Sequence, residues 1–235
     1  MRLHVKKLII ISIFLLISAN IYSFTPKLTK AEAGLLFRPE HNVSLQYHWD
    51  FILFGGFELN DHFTFKGAFY AGEMWDTPDI NIFGSVGYRL PFYETVPLSI
   101  NAVYVYNGLP KYDSSTHSFG PFASLDWRYI SGNIGHLVRR AYFDDHSLGR
   151  ENIMLYSLTG YLYNTEDMLI GAGFGNFDEF ASENIGPLFF RLINEFKLND
   201  RAIFINQLKI KMGEQYENLF YVHGVAFQTG VIFTW

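Results

Sequence analysis

The segment Val225 to Trp235 reads V-A-F-Q-T-G-V-I-F-T-W. Side chains of a β-strand point alternately to its two faces. Val225, Phe227, Thr229, Val231, Phe233 and Trp235 therefore share one face, and Ala226, Gln228, Gly230, Ile232 and Thr234 share the other. The first face is mostly large and apolar; the second is small or polar. The same alternation recurs through the chain, most plainly where Trp49, Phe51, Leu53, Gly55, Phe57 and Leu59 alternate with Asp50, Ile52, Phe54, Gly56 and Glu58.

A chain ending on the aromatic residue of such a strand resembles the bacterial outer-membrane β-barrel class. That resemblance implies an all-β, antiparallel, up-and-down transmembrane barrel in a Gram-negative-type envelope. It also implies that Phe227, Val231, Phe233 and Trp235 form the signal through which the barrel-assembly machinery recognises the last strand. The implied partners are outer-membrane lipid, that machinery and a small solute.

Residues 1–23 carry three basic residues (Arg2, Lys6, Lys7), an apolar run over 8–17 and a short polar exit. A membrane-spanning helix needs about 20 predominantly apolar residues, and Ser12, Ser18 and Asn20 interrupt this run first. The stretch reads as a cleaved signal peptide ending at Ser23, with Ala19 the other candidate boundary. Residues 24–235 then form one domain. Losing three basic and no acidic side chains takes the net charge of −5 to −8. An acidic chain with no basic tail lacks the electrostatic footprint of a nucleic-acid binder. With no cysteine, neither disulfides nor thiolate metal sites are available. His41, His48, His62 and His223 show no metal-ligand spacing, so no metal or cofactor is expected. The 24 Phe and 15 Tyr, without a second helical span, favour a barrel over a soluble β-sandwich, whose outer faces would be polar.

Twelve strands are expected, over 30–38, 43–59, 63–75, 80–90, 98–107, 118–129, 134–143, 152–163, 168–177, 188–198, 202–212 and 225–235. Residues 108–117 read as a ten-residue loop, Ser131-Gly132-Asn133 as a turn, and Asn60-Asp61 as a tight hairpin turn whose residues both tolerate left-handed backbone. The corner F-E-L-N-D-H at 57–62 recurs as F-K-L-N-D-R at 196–201. An even count returns both ends to the periplasm. Ten strands, with 30–38 and 134–143 discarded, satisfies that rule too, but it puts the two Asn-Asp corners on opposite sides. Trp49, Trp75, Trp127 and Trp235 suit the aromatic girdles at the two interfaces.

With the apolar sets facing lipid, the other sets face a lumen expected to be polar and of mixed charge. Its candidates are Asp50, Glu58, Lys66, Arg89, Asp126, Arg128, Arg191, Glu195, Lys197, Gln207, Lys209 and Lys211. Arg191, Lys197, Lys209 and Lys211 against the single carboxylate Glu195 suggest a basic wall that draws anionic solutes into a narrow pore. The competing reading pairs these cations with carboxylates across the barrel and plugs it, since a barrel of twelve strands leaves only a narrow passage. Gly171, Gly173 and Gly175 lack a following helix, so they read as room for large neighbours such as Tyr161 rather than as a phosphate loop.

One cluster carries possible chemistry, Asp144-Asp145-His146-Ser147. His146, Ser147 and Asp145 weakly resemble the His-x-Ser-Asn signature of outer-membrane lipid A deacylases and depart from it because His146 and Ser147 are adjacent. Neighbouring strand residues point to opposite faces, which hinders a direct proton relay. Three functions follow as expectations: a narrow porin-like channel for small polar or anionic solutes, an acyl hydrolase, and a non-conducting structural or surface-interaction barrel.

Overall fold

The computed structural model describes residues 27–42, 47–74, 77–90, 97–144, 146–177, 188–215 and 219–235. The expected leader and its boundary at Ser23 lie outside them. Among the described residues the chain forms twelve strands: β1 (Leu28–Asn42), β2 (Tyr47–Leu59), β3 (Phe63–Met74), β4 (Thr77–Arg89), β5 (Leu98–Leu109), β6 (Ser114–Trp127), β7 (Ile130–Phe143), β8 (His146–Asn164), β9 (Met168–Gly175), β10 (Phe189–Asn199), β11 (Ala202–Gln215) and β12 (Leu219–Thr234). Each pairs antiparallel with its neighbours in sequence, and β1 pairs with β12 to close the barrel. Closure leaves no unpaired edge, which lipid would not tolerate.

The alternation sorts the side chains as the sequence suggests. Phe51, Leu53, Phe69, Ile82, Ile100, Phe119, Leu192 and Phe227 are exposed on the outer wall, while Ile52, Phe54, Tyr70, Phe83, Val103, Phe122 and Ile205 are buried inside. Trp127 and Tyr129 meet edge to face at 6.0 Å where β6 turns into β7. With Trp235 exposed beyond the end of β12, they mark the interface on the side of the chain ends, taken as periplasmic.

β1, β5, β6 and β7 are longer than the periodicity alone suggests, for three local reasons, whereas β9 stops two residues short of the expected 177. β1 continues through Pro39, where its ladder to β12 skips from Phe37 to Glu40 while its ladder to β2 runs unbroken. The prolyl nitrogen without a proton thus sits where one ladder pauses. Ser131-Gly132-Asn133 is strand, not turn. Ser131 bonds the Tyr161 hydroxyl at 2.8 Å and Asn133 donates to Ser157 at 3.0 Å, both inside the barrel. The turn is Arg128-Tyr129, one step earlier. The expected loop at 108–117 shrinks to a single 3₁₀ turn, Pro110–Tyr112, closed by Asp113 in left-handed backbone.

Asn60 and Asp61 both adopt positive φ, at 53° and 59°, as the central pair of a type I′ turn requires, with His62 the third residue between the paired Leu59 and Phe63. The second Asn-Asp corner lies at the same end but is built differently. Asn199 accepts the Arg201 amide through its side chain, and the ladder shifts register between Lys197 and Asn199. Inside, a Cβ on Gly171 would lie 2.9 Å from the Tyr161 ring; the bare glycine leaves that aromatic its place.

Candidate functional site

The interior is stacked in three layers. At the periplasmic end is a polar cup of about 350 Å³. Lys30, Lys66, Arg89 and Arg191 line it together with Glu32, Glu58, Asp126 and Glu195. Arg89 grips Glu58 with both terminal nitrogens, at 2.8 and 2.6 Å, reaching over β3 from β4 to β2. Arg191 donates to the Thr159 hydroxyl from Nε at 3.0 Å and from a terminal nitrogen at 2.5 Å. Ser99, Asn101 and Ser124 form a small network, the serine hydroxyls 2.7 Å apart and Asn101 donating to Ser124 at 2.9 Å.

Above the cup lies an apolar layer. Leu36, Ile52, Phe54, Tyr70, Val105, Leu137, Leu155 and Phe177 are buried in one contiguous cluster with Ile205 and Phe122. Phe177 follows β9, and its ring meets that of Phe122 at 5.3 Å; it also roofs the cup. Its neighbour Asn176 donates to the Met154 carbonyl and accepts the Tyr156 amide, extending along β8 the ladder that short β9 leaves off. The uniformly polar lumen expected from the sequence is therefore not what forms. Inward positions at mid-height hold hydrocarbon, because opposing walls of so narrow a barrel meet and fill it.

The third layer, toward the outer end, holds buried charge. Arg38 and Asp50 pair with neither side chain exposed, and Lys211 Nζ lies 2.6 Å from Glu40 Oε2 across the β1 to β12 seam region. Asn107 donates to Asn81 at 2.7 Å, and Asn81 in turn to Asp79 at 3.0 Å.

The four cations grouped as a basic wall have different partners. Arg191 lines the cup. Lys197 sits at the periplasmic rim, 3.0 Å from Asp200. Lys209 is buried 5.5 Å from the Phe189 ring centre, and Lys211 is in the outer ion pair. Arg191 and Lys209 stand opposite one another in the β10 to β11 ladder and Lys211 lies two residues further along the same inward face, so three of the four share one stretch of wall and only Lys197 stands apart. Asp50 belongs to the outer layer, and Glu58, Lys66, Arg89, Asp126, Glu195 and Gln207 line the cup. Arg128 is outside the lumen: it lies in the turn after β6, exposed, with its guanidinium 5.5 Å from the Tyr129 ring centre. The sequence reading missed Arg38 and Glu40, because Pro39 between them signalled a break in the strand.

His146 and Ser147 open β8 at the outer rim, both exposed, opposite Phe143 and Tyr142 respectively. As consecutive strand residues they face apart, and Asp145 lies outside the described residues. Among the described residues no group of His, Asp and Glu has metal-site geometry. A larger concavity of about 760 Å³ lies on the outer wall over Gly55, Gly67 and Gly84, between Phe57, Phe65 and Val86. Its apolar walls suit lipid chains, which leaves the interior cup as the candidate site.

No protein-family model matches the sequence, and no curated protein matches it by sequence. Solved structures do match in fold. The NanC porin superposes with a TM-score of 0.58 at 7% identity, covering 85% of this chain and 98% of that one. The translocator domain of the autotransporter NalP from Neisseria meningitidis gives 0.57 at 9% identity, over 92% and 91% of the two chains. The chain is a transmembrane β-barrel of the bacterial outer-membrane type. Outer membrane phospholipase A from Escherichia coli shares the fold as well, with a TM-score of 0.51 at 12% identity over 92% and 96%. A porin, a translocator and a phospholipase on one architecture leave the activity of this outer-membrane barrel to be argued from its own interior.

Proposed function

We propose that this outer-membrane barrel is closed to through-flow in its resting form, and that it works through the periplasmic cup, which takes up small polar solutes carrying both signs of charge. The observation that carries this reading is the apolar layer. Ile52, Tyr70, Val105, Leu137 and Leu155 have no measurable exposure, so no hydrated path separates them, and the ion pair of Arg38 and Asp50 above them is equally dry. Water and ions crossing such a layer would shed their hydration with nothing to replace it. The cup lining balances four cations against four carboxylates, which favours a zwitterionic or dipolar guest over a simple anion. Planar-bilayer recording on the folded protein tests this. Silence with an intact fold is the expected result, and regular single-channel steps from the unmodified chain would overturn it.

A porin-like channel is the second reading. The cup favours it, being half of a polar pore already formed, and so does the fold shared with the NanC porin. In that case the apolar layer is the constriction that opens, and conductance appears in the same recording with weak ion preference.

A further inference from the structure

Arg140 on β7 and Arg150 on β8 stand directly opposite one another in the ladder. Directly opposed residues share a face of the sheet. Here that face is the outer wall: both arginines are exposed, as is Met154 four residues along β8. On its other side Arg140 is opposite His117 of β6, so a lateral row of three basic side chains crosses β6, β7 and β8. The next register pair, Arg139 with Glu151, faces inward and forms an ion pair at 3.5 Å. That inward arginine has a carboxylate; outside, among the described residues, no carboxylate pairs with Arg140 or Arg150. Like charges directly opposed across a ladder destabilise it. An anion lying between two guanidinium groups removes that cost, and phosphate oxygens match their forked donors.

The height of the row selects the source of the anion. From Ile130, beside the Trp127 and Tyr129 girdle, to Arg140 is ten residues along β7. At a rise of about 3.4 Å per residue and a tilt of about 40°, that climb is about 25 Å, the height of the apolar band of such barrels. Arg140 and Arg150 therefore lie at the outer-leaflet headgroups. Aromatic side chains typical of that level surround His117. The Tyr104 hydroxyl and His117 Nδ1 are 2.8 Å apart, and the Tyr106 and Tyr142 rings meet the imidazole edge-on at 5.2 and 5.4 Å. Below the row, exposed Met154, Leu158 and Phe119 provide an apolar wall for acyl chains.

We propose that Arg140 and Arg150 form a binding site for the phosphate of an outer-leaflet lipid, shouldered by His117 and its tyrosines. This is independent of whether the lumen conducts. The test uses the full folded barrel in phosphatidylcholine vesicles, with and without phosphatidic acid as the phosphomonoester probe. Native mass spectrometry reads the lipid retained, and heat-modifiable migration reads the melting of the fold. Wild-type protein retains phosphatidic acid over phosphatidylcholine by about tenfold and melts higher in its presence, as two charge-assisted forks should produce. R140Q/R150Q loses both effects, while K27Q, an exposed cation at the opposite rim, keeps them. Should the double variant not fold, R150Q alone must lose at least about half of the retention, since it removes one fork of two. Unchanged retention in the arginine variants overturns the proposal. So does equal stabilisation of wild type by inorganic phosphate in pure phosphatidylcholine, which would make this a soluble-anion site.

Discussion

Arg38 and Asp50 oppose each other across the β1 to β2 ladder with both side chains wholly withdrawn from solvent, Arg38 Nε donating to Asp50 Oδ2 at 3.0 Å. The Arg38 guanidinium also lies 5.9 Å from the Tyr70 ring centre. Removing one partner of a dry ion pair strands the other charge, which costs about 3–5 kcal/mol, whereas replacing both with apolar groups is often neutral. D50A should therefore lower the urea midpoint of folding in vesicles sharply, and R38M/D50L should recover most of that loss. A double variant as weak as D50A would show that the charges, not the packing, hold this layer.

Lys211 and Glu40 make the second buried pair, at 2.6 Å. Charge reversal there places two carboxylates together out of water. K211E is expected to act on stability by several kcal/mol, read as loss of heat-modifiable migration. E40K/K211E, which restores opposite signs, should refold. A K211E protein that folds normally and only alters ion preference would return this lysine to a pore wall.

The apolar layer can be opened by truncation. Leu137 and Leu155 are both fully buried and side by side in register order, Leu137 opposite Ile153 and Gly135 opposite Leu155. L137A/L155A should cost about 4–10 kcal/mol if the layer stays packed, from two leucine cavities. In a barrel that still folds, small steps should appear in planar bilayers where wild type is silent. Continued silence in a folded variant would place the barrier elsewhere in the lumen.

Tyr161 leans over Gly171, where an added Cβ would also lie 3.1 Å from the Gly160 carbonyl. G171V should destabilise the barrel by about 1–3 kcal/mol through overpacking, and Y161A in the same chain should relieve much of it. If G171V is neutral, the ring has room that the present packing does not require.

The final residues close the seam. Trp235 exchanges both backbone hydrogen bonds with Ala31, at 2.8 and 3.1 Å, and Phe233 lies between Ala33 and Ala202. Deleting residues 233–235 is expected to abolish heat-modifiable migration, both by opening the periplasmic end of the ladder and by removing the aromatic signal proposed for Phe227, Val231, Phe233 and Trp235. Normal migration of the truncated chain would contradict it.

The sequence by itself determined which side chains meet lipid and favoured twelve crossings over ten, a count that closure of the barrel then settles. Period-two alternation is a local property, and a barrel in hydrocarbon enforces it strand by strand, so β2, β3, β5 and β12 were legible at once. Strand ends were less so. Pro39 and the Ser131 to Asn133 stretch carry breaker chemistry that a ladder gap and lumenal partners absorb. What only the tertiary structure decided is the height and partner of each inward residue. Arg191, Lys209 and Lys211 do stand together on the inner wall of β10 and β11, but Lys197 goes to the rim, and only closure of the barrel brings Glu40 of β1 to Lys211. Whether a lumen is polar, filled or open depends on which side chains meet across it, and strands far apart in sequence set those meetings.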